Sequence, residues 1–205
     1  MELTANDIIT WMNKTNEKIQ NNKEHLTSLD QAVGDGDHGI NMARGFKEVV
    51  AKLDDNSYEN ASDALKDTAM TLMSKVGGAA GPLYGTAFLK LSTSLKDKIA
   101  DYSHFVTGLE ESLEGLKQRG KSQEGEKTLI DVWAPVIEKM KEQEDFDAAL
   151  LKDTAAGALE KTKDIKATKG RASYLGDRSI GHLDPGSVSS YYVFEALAET
   201  IEGGR

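Results

Sequence analysis

Apolar residues recur at intervals of three and four along most of the chain, the spacing that gives a helix one buried face. From Thr4 to about Asn22, Ile8, Ile9, Trp11, Met12 and Ile19 mark a first helix, with Thr4 and Asp7 in capping-box positions. Residues 21–29 are polar and read as a connection. A second helix opens after position 37 on Ala43, Phe46, Val50 and Leu53, and a third spans 61–76 with Leu65, Ala69, Leu72, Met73 and Val76 inward. The glycine-rich run 77–85 ends that helix, and Pro82 starts a fourth that carries Phe88, Leu89 and Leu91. After a loop at 101–104, a fifth runs on Val106, Leu109, Leu113 and Leu116 and stops at Gly120. Residues 128–140 are helical with a kink or restart expected at Pro135, 145–164 form an Ala-rich amphipathic segment, and 187–202 supply the last helix. No stretch alternates as a strand would. The pattern predicts about eight helices in one all-α domain over residues 1–205, with the functional loops gathered at helix ends around one core.

Residues 166–186 break the pattern. They hold several glycines and two arginines but no stripe, which predicts a long ordered loop with a function. Composition narrows the possibilities further. A formal net charge of −9 argues against general nucleic-acid binding, and the absence of cysteine removes disulfides, thiol catalysis and thiolate zinc sites. The N-terminal residues lack a basic, apolar-cored signal, and no run approaches the roughly 18 apolar residues of a membrane span. A cytoplasmic protein without a membrane segment is expected.

The candidate chemistry centres on the stretch 30–46. Asp30, Asp35 and Asp37 fall within eight residues, interleaved with Gly34, Gly36 and Gly39, at the start of a helix. One such aspartate would be an ordinary turn or cap residue. Three that converge repel one another unless a cation compensates them, and hard carboxylate oxygens suit Mg²⁺ or Ca²⁺. An EF-hand loop starting at Asp35 fails, because Gly39 and Phe46 stand where its fifth and twelfth residues must be oxygen ligands. His38 and Asn41 follow at a helix N-terminus, where they either cap locally or face an anion. The run 77–85 lacks the G-K-[ST] ending of a P-loop, so it reads either as close helix packing or as backbone approaching a ligand. Arg171 and Arg178 each offer a planar fork to phosphate or a surface ion pair.

Three motifs in order, D30-x4-D-G-D-H-G-x-N-M-x-R-G, G77-G-x-x-G-P-L-Y-G-T and G170-R-A-S-Y-L-G-D-R-S-I-G-H-x-D-P-G, together resemble the nucleotide-binding L subunit or domain of dihydroxyacetone kinases. The resemblance spans nearly the whole chain. It implies an antiparallel barrel of eight α-helices with ADP or ATP and two Mg²⁺ at one end. It also implies magnesium ligation by Asp30, Asp35 and Asp37, and a phosphate-contacting turn at His38, Gly39, Ile40 and Asn41. Ala79 and Ala80 fall where the family's glycine-rich loop covers the nucleotide. Many members carry serine there, so the hydroxyl contacts to phosphate must be replaced by backbone amides or be absent. Gly120 and Leu129 resemble nucleoside-side contacts, and Arg178, Asp184, Pro185 and Gly186 resemble the closing loop.

The family works in two modes, either fused to a substrate-binding K domain or as a separate subunit that keeps its nucleotide. At 205 residues the chain resembles the second. There, a phosphocarrier M subunit of the phosphoenolpyruvate-dependent phosphotransferase system passes phosphate to bound ADP, and the ATP formed phosphorylates dihydroxyacetone on the K subunit. Two alternatives stand beside this: an ADP-carrying regulatory module that binds, for instance, a transcription regulator, and an L subunit that serves a kinase for another acceptor.

Overall fold

Short polar side chains at the boundaries fix where helices begin. Thr4, Asn60, Asp101, Asp147 and Asp184 each accept the backbone N–H three residues on, satisfying a donor that the first turn leaves open. At Thr4 the bond is reciprocated, since the Asp7 carboxylate accepts the Thr4 N–H at 2.7 Å and completes the expected box. The computed structural model describes residues 1–204. These form α1 (Ala5–Asn21), α2 (Lys23–Val33), α3 (His38–Asp54), α4 (Ala61–Lys75), α5 (Ala80–Leu95), α6 (Tyr102–Gly120), α7 (Ile130–Lys141), α8 (Ala148–Lys161) and α9 (Pro185–Gly203). A 3₁₀ segment, Arg171–Ser179, lies between α8 and α9. Among the described residues the only extended pairing is an isolated antiparallel bridge between Glu2 and Asp101.

Eight of these helices close a ring. α1 packs on α3, α3 on α4, and so on in order through α8 to α9, which returns to α1. The α3–α4 and α5–α6 connections meet the N-terminal residues in a groove at one end. Residues from the α2–α3, α4–α5, α6–α7 and α8–α9 connections line one cavity at the other. Alternate connections therefore lie at opposite ends, and the architecture is the antiparallel eight-helix barrel that the resemblance implied. This alternation also brings the N-termini of α3, α5, α7 and α9 to the cavity end, each with N–H groups left without intrahelical partners.

One apolar cluster fills the barrel. Trp11 stands edge-on to Phe88 and Phe105, with ring centroids 5.5 and 6.2 Å away, and Trp133 stands likewise on Phe194 at 5.0 Å. Each pair adds about 0.5–1.5 kcal/mol beyond simple burial. Neither indole N–H is stranded, since Trp11 donates to the Val193 carbonyl at 2.8 Å and Trp133 to Ser190 Oγ at 3.0 Å.

The structure corrects three local expectations. Residues 23–29, expected in a polar connection, belong to α2, which lies outside the ring against α3 and α9 and buries only Leu26 and Val33. Such a helix needs almost no apolar stripe. α7 continues through Pro135 rather than restarting there, forgoing the bond that an N–H there would donate to the Asp131 carbonyl, while buried Trp133, Val136 and Ile137 hold it in place. The loop 166–186 contains the 3₁₀ segment, which is interrupted at Gly176. Among the described residues, no helix is long and apolar enough to cross a membrane.

Candidate functional site

Asp30 sits in the last turn of α2, and Asp37 immediately precedes α3. The Asp30 Oδ2 atom accepts the backbone N–H groups of Asp37 at 2.9 Å and His38 at 3.0 Å. α3 is thus capped from α2, and the Asp37 side chain makes no capping bond of its own. A local capping role accounts for Asp30 alone among the three. Asp30, Asp35 and Asp37 each present an oxygen within 4.8 Å of the others. Arg171 pairs with Asp35, Nη2 to Oδ2, at 2.9 Å. One exposed guanidinium against three carboxylates leaves the cluster negative, and hard oxygen donors gathered this closely fit a divalent cation of the Mg²⁺ or Ca²⁺ type.

The cluster depends on how closely α3 crosses α2. A Cβ added to Gly39 would fall 2.2 Å from the Lys23 carbonyl oxygen and 2.5 Å from Thr27 Oγ1. Only glycine permits that approach, and the approach sets Asp30 on the start of α3.

A cavity of about 330 Å³ opens beside the carboxylates. Its walls bring together Asp30, Asp35, Asp37, His38 and Asn41 from the α2–α3 region, Ala79 and Ala80 from the start of α5, Leu129 from before α7, and Asp184, Pro185 and Gly186 from the start of α9. Four of the expected residues lie elsewhere. Gly39 packs against α2, and Ile40 is 50% exposed on the outer side of α3. Gly120 lines an adjoining cavity of about 410 Å³, walled by Leu83, Leu116, Leu129 and Ile130, which shares Ala79, Thr128 and Leu129 with the first. Arg178 is exposed and lines neither cavity, whereas Arg171 lies in the wall of the first. Val33, Ala167, Ala172 and Leu175 form a small separate apolar cluster that seats the 3₁₀ segment against the end of α2, beside the acidic turn.

Beneath the cavity runs a polar network. His38 Nε2 lies 2.9 Å from Ser189 Oγ, and the buried Tyr84 hydroxyl lies 2.7 and 2.8 Å from Ser189 Oγ and Ser190 Oγ. Burial lowers the His38 pKa against the opposing pull of Asp30 and Asp37. The ring is therefore a hydrogen-bonding group rather than a charge at neutral pH.

Lys127 is a wall residue that the sequence did not mark. It is 1% exposed and donates to the carbonyls of Thr162 at 2.7 Å and Ile165 at 3.1 Å, tying the 121–129 loop to the chain leaving α8. Ser187 Oγ adds a bond to the Thr128 carbonyl at 2.8 Å. In sequence Lys127 stands in a polar, turn-like run, and only its position directly before a strongly apolar segment hints at burial.

Burial pushes the Asp184 carboxyl up to about 7, against the hydrogen bonds it accepts from Ser187. A carboxyl whose pKa rises on folding holds its proton more tightly in the native chain. Its contribution to stability is therefore fully present below the unfolded value of 3.8 and is lost as pH climbs to about 7. Urea unfolding of the nucleotide-free protein across that window should show the decline. Asp184→Asn, which keeps an oxygen for the α9 cap, should flatten it.

Residues 32–199 match the DAK2 domain. The chain is 52% identical over 192 residues to the PEP-dependent dihydroxyacetone kinase 1, ADP-binding subunit DhaL, of Listeria innocua, an alignment covering 94% of each. It is 47% identical over 199 residues to the PTS-dependent dihydroxyacetone kinase, ADP-binding subunit DhaL, of Lactococcus lactis, covering 97% of this chain and 99% of that one. Its fold matches the crystal structure of the dihydroxyacetone kinase from C. freundii in complex with AMP-PNP and Mg²⁺, with a TM-score of 0.73 and 25% identity over 96% of this chain. The chain spans about a third of that kinase, 33% of its length. By the breadth and identity of these matches, the chain belongs to the DAK2 domain family of dihydroxyacetone kinase ADP-binding subunits.

Proposed function

We propose that this chain is the nucleotide-binding subunit of a dihydroxyacetone kinase, holding ADP or ATP with two Mg²⁺ ions at the open end of the barrel. One observation carries the reading: three carboxylates converge at the mouth of a cavity where four helix N-termini meet. Helix N-termini favour anions, and carboxylates favour cations, so a site that has both suits a metal–polyphosphate complex better than either alone. Asp30, Asp35 and Asp37 would hold the magnesium ions, which when bound would neutralise phosphate charge during transfer.

The remaining roles follow from the walls. α5 begins without a side-chain cap, so its first amides are free to meet phosphate oxygens. That is how alanine at 79 and 80 stays compatible with the role that serine fills elsewhere in the family. The adjoining apolar cavity at Leu83, Leu116, Gly120 and Leu129 suits a nucleobase. Arg171, in the wall and paired with Asp35, is the phosphate-facing arginine in this reading, in place of Arg178.

Of the cavity's nitrogen nucleophiles, His38 is engaged with Ser189 and buried Lys127 with the Thr162 and Ile165 carbonyls. In this reading the acceptor and the groups that activate it belong to a K subunit, with a phosphotransferase-system M subunit recharging ADP in place, in the cytoplasm. Mixing this chain with a K subunit, a phosphorylated M subunit and dihydroxyacetone tests the assignment. Dihydroxyacetone phosphate should form only when all are present. Product from this chain and ATP alone would contradict the division of labour, and binding without turnover would favour a regulatory module instead.

A further inference from the structure

Arg44 lies nearly two turns into α3, on the surface, outside every wall described above. Its guanidinium reaches two acceptors: Nε donates to the Lys75 carbonyl at the end of α4 at 3.0 Å, and Nη2 donates to Asn41 Oδ1 at 2.9 Å. The second bond has a consequence for the cavity. A guanidinium can only donate, so the atom it meets on Asn41 must be the carboxamide oxygen. The Nδ2 group is thereby turned the other way. Asn41 is 8% exposed and lines the cavity beside Gly77 and Gly78. A Cβ on Gly77 would fall 2.6 Å from Asn41 Oδ1 and 3.0 Å from its Nδ2, so the carboxamide lies flat against that backbone. The bond to Arg44 thus decides which end of a tightly held amide points inward.

We propose that Arg44 is a positioning residue for the nucleotide's phosphates: by engaging the Asn41 oxygen from outside, it makes Asn41 present N–H donors to the cavity. An anionic phosphate oxygen accepts hydrogen bonds and is repelled by a carbonyl oxygen, so the unflipped amide binds and the flipped one does not. The anchor on the Lys75 carbonyl matters equally, because it ties this orientation to the end of α4, next to the turn 77–79 that lines the same cavity. The inference rests on the reading of the cavity as a nucleotide site.

The test measures release of a fluorescent ADP analogue from the Mg²⁺-loaded protein, with adenosine binding as a control that lacks phosphate. Arg44 is exposed, so Arg44→Ala should fold normally, and the thermal midpoint checks this. Losing one hydrogen bond to a charged group corresponds to roughly tenfold faster release of the ADP analogue, with adenosine affinity unchanged. Arg44→Lys keeps the charge but cannot bridge both acceptors in a fixed fork, and should recover only part of the loss.

The decisive arm is Asn41→Ala combined with Arg44→Ala, which should release the analogue no faster than Asn41→Ala alone. Additive losses would mean that Arg44 acts through its own charge, and would overturn the proposal. So would an Arg44→Ala protein that matches the parent, or one that loses adenosine equally. A parent protein that fails to bind the analogue at all would refute the nucleotide reading itself, a different outcome from a parent that binds and a variant that is indistinguishable from it.

Discussion

Replacing Asp35 or Asp37 with Ala should abolish retention of ADP while leaving stability within about 0.5 kcal/mol of the parent. Neither side chain supports the fold: Asp37 makes no capping bond, and Asp35 contributes an exposed pair with Arg171, a class worth about 0–1 kcal/mol. Asp30→Ala should do the same to retention but also destabilise, by about 1 kcal/mol, because it strips the cap from the Asp37 and His38 N–H groups. Asp30→Asn separates the two roles. Its carboxamide oxygen can still accept those N–H groups, so folding should recover while retention stays lost. Losing a single carboxylate from the cluster should weaken Mg²⁺ binding by at least about a hundredfold, the upper end of the cost of losing a mere supporting residue. Calorimetric titration with Mg²⁺ and ADP, paired with urea unfolding, distinguishes the three positions. Equal stability losses at all three would show that the cluster is structural.

Gly39→Ala should be the most destabilising substitution near the site. The added Cβ would lie 2.2 Å from the Lys23 carbonyl oxygen, which is backbone and cannot rotate aside. Overpacking costs about 1–3 kcal/mol where side chains can yield, and two abutting helices place this change at or above the upper figure. For a chain of this length that corresponds to a thermal midpoint lower by roughly 6–12 °C. Because α2 must move, Asp30 moves with it, and ADP retention should weaken too. A variant that lost ADP at an unchanged midpoint would instead give Gly39 the direct phosphate contact that the family resemblance implied.

These two cases show what sequence could and could not deliver. The acidic turn was legible because three carboxylates among glycines have few structural explanations, and the helices of the ring were legible because each buries a stripe. α2 was not, since a helix lying outside the ring buries only Leu26 and Val33 and looks like a polar connection. The role of Gly39 was hidden for the same reason, because its partner is that unseen helix. Arg171 and Arg178 share a loop with no periodicity, so nothing in the sequence says which one faces the cavity. What decides it is the small apolar cluster of Val33, Ala167, Ala172 and Leu175, which docks the 3₁₀ segment on α2 and brings Arg171 to Asp35. Lys127 escaped notice because a lysine in a polar run is ordinarily solvated, and its burial depends on carbonyls at Thr162 and Ile165, far away in sequence.

The fold also explains why the site lies where it does. An up-and-down ring of eight helices must place alternate N-termini at one end, and the family's three motifs supply three of the four connections at that end. In the proposed reading, carboxylates at that end would serve the metal, bare amides the phosphates and the apolar wall at Leu116 and Leu129 the base.

Native mass spectrometry of the purified protein before and after EDTA tests this most directly. The expected spectrum shows a species heavier than the bare chain by one ADP and two magnesium ions, with all three lost together on chelation. A bare chain that also fails to take up added ADP with Mg²⁺, or a triple Ala variant of Asp30, Asp35 and Asp37 that still carries ADP, would contradict the assignment.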